Sequence, residues 1–234
     1  WARDDQGARV TLDEDLLPSE TALHRLGLSA SFPEITALRR VLAQWRFFHA
    51  FRTDAASILR RPCPAVTSPT LQSDGGNLAA VFATLRHIRG DTADLDQAIN
   101  DAFPGAELVV PPPQQHASLA LRYPEFPQRE FGAHELSDGT LQYLALMGAL
   151  MSYRLPPFLA LNEPETSLHP SLLAPLGRLI AGAAMRTQIL VVTHSEALAA
   201  AINEHSGIST RRVIKNEGAT WIEGLSKIGT FTDA

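Results

Sequence analysis

The chain has 234 residues, a formal net charge of −5 and 45% hydrophobic residues, enough for one large domain or a domain with a lobe inserted. The acidic balance excludes a strongly basic nucleic-acid footprint at whole-chain level, though not a local basic patch. No run of 18 or more apolar residues occurs, which excludes a membrane-spanning helix, and the single cysteine, Cys63, cannot form an internal disulfide and so suits a reducing, cytoplasmic compartment.

The opening WARDDQGARV is charged and lacks both a signal-peptide apolar segment and an initiator methionine, so the chain is expected to begin inside a longer sequence. Residues 1 to 30 read as a polar edge with a short strand around ARVTL. In FPEITALRRVLAQW, Ile35, Leu38, Leu42 and Trp45 recur at helical spacing, with Pro33 at the tolerated first turn. RFFHAF reads as a strand and RRPCPAVTSP as a proline-broken loop. SDGGNLAAVFATLRHI reads as loop then helix, with a stripe of Leu78, Val81, Phe82, Leu85 and Ile88 and a cap from Asp74 or Asn77. The glycine pair Gly75–Gly76 could cradle an anion, but no lysine follows it and no strand precedes it. TADLDQAINDAF is a second helix, and AELVV and ASLALRY are strands joined by the stiff PPPQQ.

After residue 130 the character changes. LQYLALMGALMSY is apolar on nearly every face and reads as a buried helix. PPFLALN reads as a buried strand, SLLAPLGRLIAGAA as a helix facing inward through Leu172, Leu176, Leu179 and Ile180, and TQILVVTHS as a second buried strand. Pro175 should shift or bend the start of that helix. EALAAAINE is helical, and RRVIKN and ATWIEG are two final strands. This alternation predicts an α/β fold with a parallel, helix-covered sheet.

Three polar clusters fall at element ends: Ser137, Asp138 and Gly139 before a helix, Asn162 and Glu163 after one strand, and Thr193, His194 and Ser195 after the next. Ligands of open α/β sheets bind at the carboxyl ends of strands, and a helix start suits a phosphate. Singly each has a bland reading, as a cap or a solvated turn.

In order and spacing the clusters resemble the second half of the ATP-binding-cassette ATPase fold, in the RecF- and SMC-like branch that includes OLD-related predicted ATPases. The resemblance is specific over about residues 130 to 195. ELSDGT resembles the signature motif LSGGQ, with Leu136, Ser137 and Gly139 matching and Asp138 and Thr140 departing. FLALNEPETSLHP resembles Walker B followed by the D-loop, and VVTHS the switch strand. More loosely, WRFFHAFRTD and DGGNLAAVFATL look like the insertion between the two ATPase halves. The resemblance implies a P-loop NTPase fold (ABC ATPase head-like), with residues 1–129 as a helical and β insertion lobe and 130–234 as the C-terminal ATPase subdomain. It also implies ATP and Mg²⁺ as cofactors and a homodimer sandwiching two nucleotides. Glu163 would then be the catalytic base and His194 the switch histidine. Ser137, Asp138 and Gly139, with Ser167 and His169 of the D-loop, would contact nucleotide, partly across the dimer.

Two departures qualify the resemblance. No G-x-x-x-x-G-K-[ST] occurs in the 234 residues, so the cradle for the β- and γ-phosphates is expected upstream of Trp1, and the isolated chain is expected to be inactive. Asn162 replaces the usual aspartate; it keeps an oxygen acceptor for an outer-shell Mg²⁺ role but loses the charge. Two rival readings remain: a non-hydrolysing regulatory or dimerisation module of the same fold, and a nucleic-acid repair or defence factor. DNA as partner rests on family analogy alone, and about 40 residues after His194 are too few for an appended nuclease.

Overall fold

The computed structural model describes residues 2–11, 17, 19–26, 31–90, 92–216, 218–226 and 231. Strands β1 (Ala2–Arg3) and β2 (Arg9–Val10) form a small antiparallel ribbon; Leu12 of the strand expected around ARVTL, and much of the expected polar edge, lie outside the described residues. Helices α1 (Ala22–Leu26) and α2 (Pro33–Ala43) follow. Proline opens α2, where its missing N–H costs nothing. The predicted apolar spacing is present, yet no residue of α2 is buried. Of the expected strand RFFHAF only Arg46–Phe48 is extended, as β3.

Strand β4 (Cys63–Pro64) pairs antiparallel with β6 (His116–Ala117), and β5 (Glu107–Val109), β7 (Ala120–Arg122) and β8 (Glu130–Gly132) form a second antiparallel sheet in the order β5-β7-β8. The segment ASLALRY therefore splits between two sheets, and β4 and β8 are additions to the sequence reading. Between them, α3 (Leu78–Ala83) is buried at all six positions and runs on as a π-helical turn over Thr84–Arg89. That change of pitch rotates the expected apolar stripe, and Ile88 emerges 61% exposed. Neither expected cap operates on α3. Asn77 instead accepts from the Gln72 amide and donates to the Thr70 carbonyl, and Asp74 accepts from the Gly76 amide. These bonds fold the loop back on itself. Gly75 there has φ +76°, and a side chain on it would strike Leu59, so the glycine pair serves packing and turn geometry. Helix α4 (Ala93–Ala102) buries Leu95, Ala98, Ile99 and Ala102 as its periodicity predicts.

The second half is organised around α5 (Asp138–Met151), buried at every position from Leu141 to Leu150. Burying each of its large apolar side chains contributes roughly 1.5–3 kcal/mol. Gly148 admits Leu78 of α3, whose methyl would lie 2.4 Å from an added Cβ. Strand β9 (Phe158–Asn162) is followed by a 3-10 turn at Pro170–Leu172 and by α6 (Leu173–Ala184). Pro175 sits in the first turn of α6, and Leu172, Leu176 and Ile180 are buried as expected, with Leu179 half-buried. Strand β10 (Gln188–Val192) leads into α7 (Glu196–Ser206), whose Ala201 lies so close to Gly177 of α6 that an added Cβ would approach it to 2.6 Å. The chain closes on the hairpin β11 (Val213–Asn216) and β12 (Ala219–Ile222). No described helix is long and apolar enough to cross a membrane.

The expected parallel sheet is present, in the order β10-β9-β3 with both pairings parallel. Leu159 and Leu161 of β9, with Phe48, point into a core fed by residues from both sides of position 130. The opposite face is uncovered among the described residues. In one register row Ala160 lies between Phe47, 61% exposed, and Leu190, 52% exposed, and Val192 is also exposed. The sequence reads β10 as a buried strand; among the described residues it is an edge strand with one open face. Parallel sheets are ordinarily covered on both sides; here the described residues cover one side only.

The loop leading into α5 is held by Arg60, the last residue of a 3-10 turn capped by Ser57. Its Nη1 donates to the carbonyls of Ala133, His134 and Leu136 at 3.3, 3.2 and 2.8 Å, its Nη2 pairs with Asp138 at 2.6 Å, and its Nε donates to the Thr53 and Asp54 carbonyls. The side chain is only 12% exposed. A guanidinium presents five donors in a fixed fork, which a lysine cannot reproduce.

Two predictions follow from burial and bonding. In urea unfolding, Leu144→Ala is expected to cost about 3 kcal/mol and Leu190→Ala no more than about 0.5 kcal/mol, while Leu190→Lys reduces binding of a hydrophobic dye; equal costs would mean the β10 face is packed in solution. Arg60→Ala is expected to cost about 3 kcal/mol, with Arg60→Lys recovering little of it; Arg122→Ala, which removes exposed pairs with Glu107 and Glu130, should cost under about 1 kcal/mol.

Candidate functional site

The parallel register brings three strand ends together. Phe48 of β3 and Val191 of β10 both oppose Leu161 of β9, so Asn162 and Val192 end their strands side by side, and His49 follows directly on the end of β3. Asn162 Nδ2, a donor only, lies 2.6 Å from His49 Nδ1. His49 therefore accepts there, with its proton on Nε2, and Asn162 Oδ1 is left as the acceptor of the amide. His49 carries no signal in the sequence, where it reads as an interior residue of the strand RFFHAF; the strand ends at Phe48 and leaves His49 just beyond it.

Immediately beyond Asn162 the backbone turns sharply. Glu163 has φ +47°, in the left-handed region that a non-glycine residue enters at a cost of roughly 1–2 kcal/mol. Its amide still donates to the Val192 carbonyl at 2.7 Å, extending the β9–β10 ladder by one rung. The Glu163 carboxylate lies 3.2 Å from His194 Nε2. His194 is 84% exposed, so this contact contributes at most ~1 kcal/mol and does not offset the strain alone. A strained residue thus presents a carboxylate at a strand end with an imidazole against it, and strain of this kind clusters at functional sites.

The turn continues through Thr166 N to the Glu163 carbonyl and Leu168 N to the Glu165 carbonyl, each 3.0 Å, and reaches Ser167 at φ +66°. Glu165, between the two left-handed residues, reaches across to the end of β10. Its Oε1 accepts from Thr193 Oγ1 at 2.6 Å, His194 N at 3.0 Å and Ser195 N at 3.1 Å. Ser195 then caps α7 by accepting from Leu198 N. Nothing in the spacing of EPETSLHP distinguishes Glu165 from a solvated turn residue; its role depends on where β10 lies.

The predicted helix-start cluster meets the same turn from the other side. Ser137 Oγ accepts from Thr140 N at 3.1 Å and shares a hydrogen bond with Thr140 Oγ1, capping α5. Asp138 is drawn to Arg60. Gly139 packs against the turn after β9, where a Cβ would lie 2.8 Å from the Ser167 carbonyl oxygen. Upstream, the Arg129 guanidinium holds the Glu135 carboxyl below the usual carboxylate range, with the Gly132 amide adding to the effect. His169 turns away to a local task, its Nδ1 2.8 Å from Ser171 Oγ at the head of the 3-10 turn. The structure thus joins Glu163 with His194, Asn162 with His49, and Gly139 with Ser167, and leaves His169 in a cap. Among the described residues no three His, Cys, Asp or Glu side chains cluster to hold a metal ion.

No curated protein sequence matches the chain. It is similar to solved structures of SMC ATPase heads. One comes from work on ATP-driven dimerization and DNA-stimulated activation of SMC ATPases, at 16% identity over 62% of this chain and 89% of that one, TM-score 0.45. Another is the Smc head domain with a coiled coil and joint from Pyrococcus yayanosii, at 16% identity over 62% of this chain and 28% of that one, TM-score 0.45. A third is the SMC head domain from Thermotoga maritima, at 20% identity over 67% and 56% of the two chains, TM-score 0.41. The chain thus spans about a quarter and about half of the lengths of the latter two. A family model matches residues 38–200, more than half of the sequence and all of the strand ends described above, and on that match the chain belongs to the ATPase-type family described as "AAA domain, putative AbiEii toxin, Type IV TA system".

Proposed function

We propose that the chain is the C-terminal portion of an ATP-binding and ATP-hydrolysing ATPase of the RecF- and SMC-like kind, working as a homodimer that sandwiches nucleotide. The observation that supports this most is the contact of Glu163 with His194 at the ends of adjacent parallel strands, where open α/β sheets take ligands. In this reading residues 1–129 form the lobe inserted between the ATPase halves and 130–234 the ATPase subdomain. DNA as a partner, and a cytoplasmic setting, belong to the same proposal by family analogy.

The residues divide the work by their chemistry. Glu163 orients the attacking water and accepts its proton; its strained backbone fixes the carboxylate at the strand end rather than leaving it to sweep solvent. His194 donates from Nε2 to a γ-phosphate oxygen. That nitrogen now faces Glu163, and it cannot serve both groups at once, so phosphate arrival separates the pair and bares the base. Asn162, with Nδ2 engaged by His49, would help hold Mg²⁺ through Oδ1 in an outer-shell role. Ser137 and the Gly139 backbone contact the nucleotide of a second copy, with Asp138, Ser167 and His169 along the same edge. When bound, Mg²⁺·ATP supplies the phosphoryl group and the neutralisation of its charge. The fit within this chain is partial, one acceptor at Asn162 and one carboxylate at Glu163, and no G-x-x-x-x-G-K-[ST] lies in these residues, so activity is a property to measure on the full-length protein.

In that protein Glu163→Gln is expected to lower ATP turnover by at least about 100-fold, the scale of a lost general base, while raising the fraction of nucleotide-bound dimer seen by light scattering. Turnover at the wild-type rate in this variant would remove Glu163 from the role.

A further inference from the structure

We infer that Glu165 is a positioning residue: its carboxylate locks the Thr193–Ser195 turn onto the turn after β9 and thereby sets His194 against Glu163. The proposal rests on the reading of Glu163 and His194 given above and extends it to a residue that neither touches nucleotide nor moves a proton.

A single oxygen, Oε1, accepts three hydrogen bonds: the Thr193 hydroxyl and the amides of His194 and Ser195. The Ser195 amide is shared with Thr193 Oγ1 at 2.9 Å, so the hydroxyl both donates to Glu165 and accepts from the turn it belongs to. Two consecutive amides aimed at one carboxylate oxygen fix the backbone on both sides of the His194 Cα. The imidazole itself is 84% exposed and touches only Glu163 among the contacts described above, so side-chain packing does not orient it. What remains to hold it is the backbone, and the group holding that backbone is Glu165.

Burial points the same way. Glu165 Oε2 is buried and has no hydrogen-bond partner among the described residues. A surface glutamate would turn such an oxygen to water. Burying it costs desolvation energy, and Oε1 beside it is anchored by three donors, two of them backbone amides to a charged acceptor. The anchor also lies between two left-handed residues, Glu163 and Ser167. The strained turn that presents the base is thus the turn that reaches for the histidine. Any movement of the Glu163 turn is transmitted to His194 through Glu165, and movement of His194 returns the same way.

The test needs no nucleotide and uses the full chain, so its outcome is independent of whether ATP is hydrolysed. Two signals are read by NMR: exchange of the His194 and Ser195 amides, and the change in the His194 ring ¹⁵Nε2 resonance when Glu163→Gln is introduced. In the wild type that substitution is expected to shift the resonance. Glu165→Ala is expected to speed exchange at both amides about tenfold or more, the scale of a lost hydrogen bond to a charged group, and to abolish the ring response to Glu163→Gln. Glu165→Gln keeps an Oε1 acceptor and is expected to retain most of the response even where it melts earlier. An intact ring response in Glu165→Ala would overturn the inference, as would one lost in Glu165→Ala and Glu165→Gln alike in proportion to melting temperature, since that marks stability alone. Loss of the response with no ATP turnover in the full-length protein would uphold the clamp and reject the ATPase reading.

Discussion

Everything at the candidate site depends on β9 lying parallel between β3 and β10. That pairing turns Leu159 and Leu161 inward beneath a helical layer led by α5 and sets three strand ends in one row. A slip of one residue would send the leucines to the open face and carry Asn162 away from His49. The register is fixed by burial on one face only. The other face, with Phe47 and Leu190 exposed, adds little to specifying it. The position of the candidate site is thus determined by apolar packing of the residues directly before it, Phe48 and Leu161.

On that frame the polar residues work by constraint. Two non-glycine residues, Glu163 and Ser167, hold left-handed backbone within five positions. Strain of this kind lasts only where neighbours over-determine it. Here the neighbours are identifiable: the rung from Glu163 N to Val192 O, the reach of Glu165 to the β10 turn, and Gly139, whose missing side chain lets the start of α5 close on Ser167. Arg60 secures that helix start from the far side by binding three carbonyls and Asp138. A segment that reads in sequence as a signature-like loop is therefore also a built wedge between the first-half loop and the post-β9 turn.

Much of the second half was legible because its signals are strong. The all-round apolar pattern of α5, the short apolar runs of β9 and β10, and the inward stripe of α6 all survive as elements. Beside the strands, Asn162, Glu163 and His194 were picked out by their place at strand ends, and the structure does bring Glu163 and His194 into contact. What failed to show was whatever depends on tertiary partners. Leu190 is as apolar as Leu159, and only the face of the sheet each points to makes one exposed and the other buried. Asn77 had the right chemistry for a cap, but the Gln72–Thr70 backbone competed for it and won. Ile88 followed the helical period until the helix changed pitch. Glu165, His49 and Arg60 carry no local signature at all, because each acts on a segment far from it in sequence.

The central claim, that the joined ends of β9 and β10 receive the terminal phosphate of ATP, is tested most directly by a structure of the full-length protein with a non-hydrolysable ATP analogue and Mg²⁺. The account predicts the terminal phosphate at those strand ends, with His194 Nε2 released from Glu163 and hydrogen-bonded to a phosphate oxygen, and Ser137 of a second copy on the opposite side. A bound analogue elsewhere on the molecule, with the Glu163–His194 contact unchanged, would contradict it.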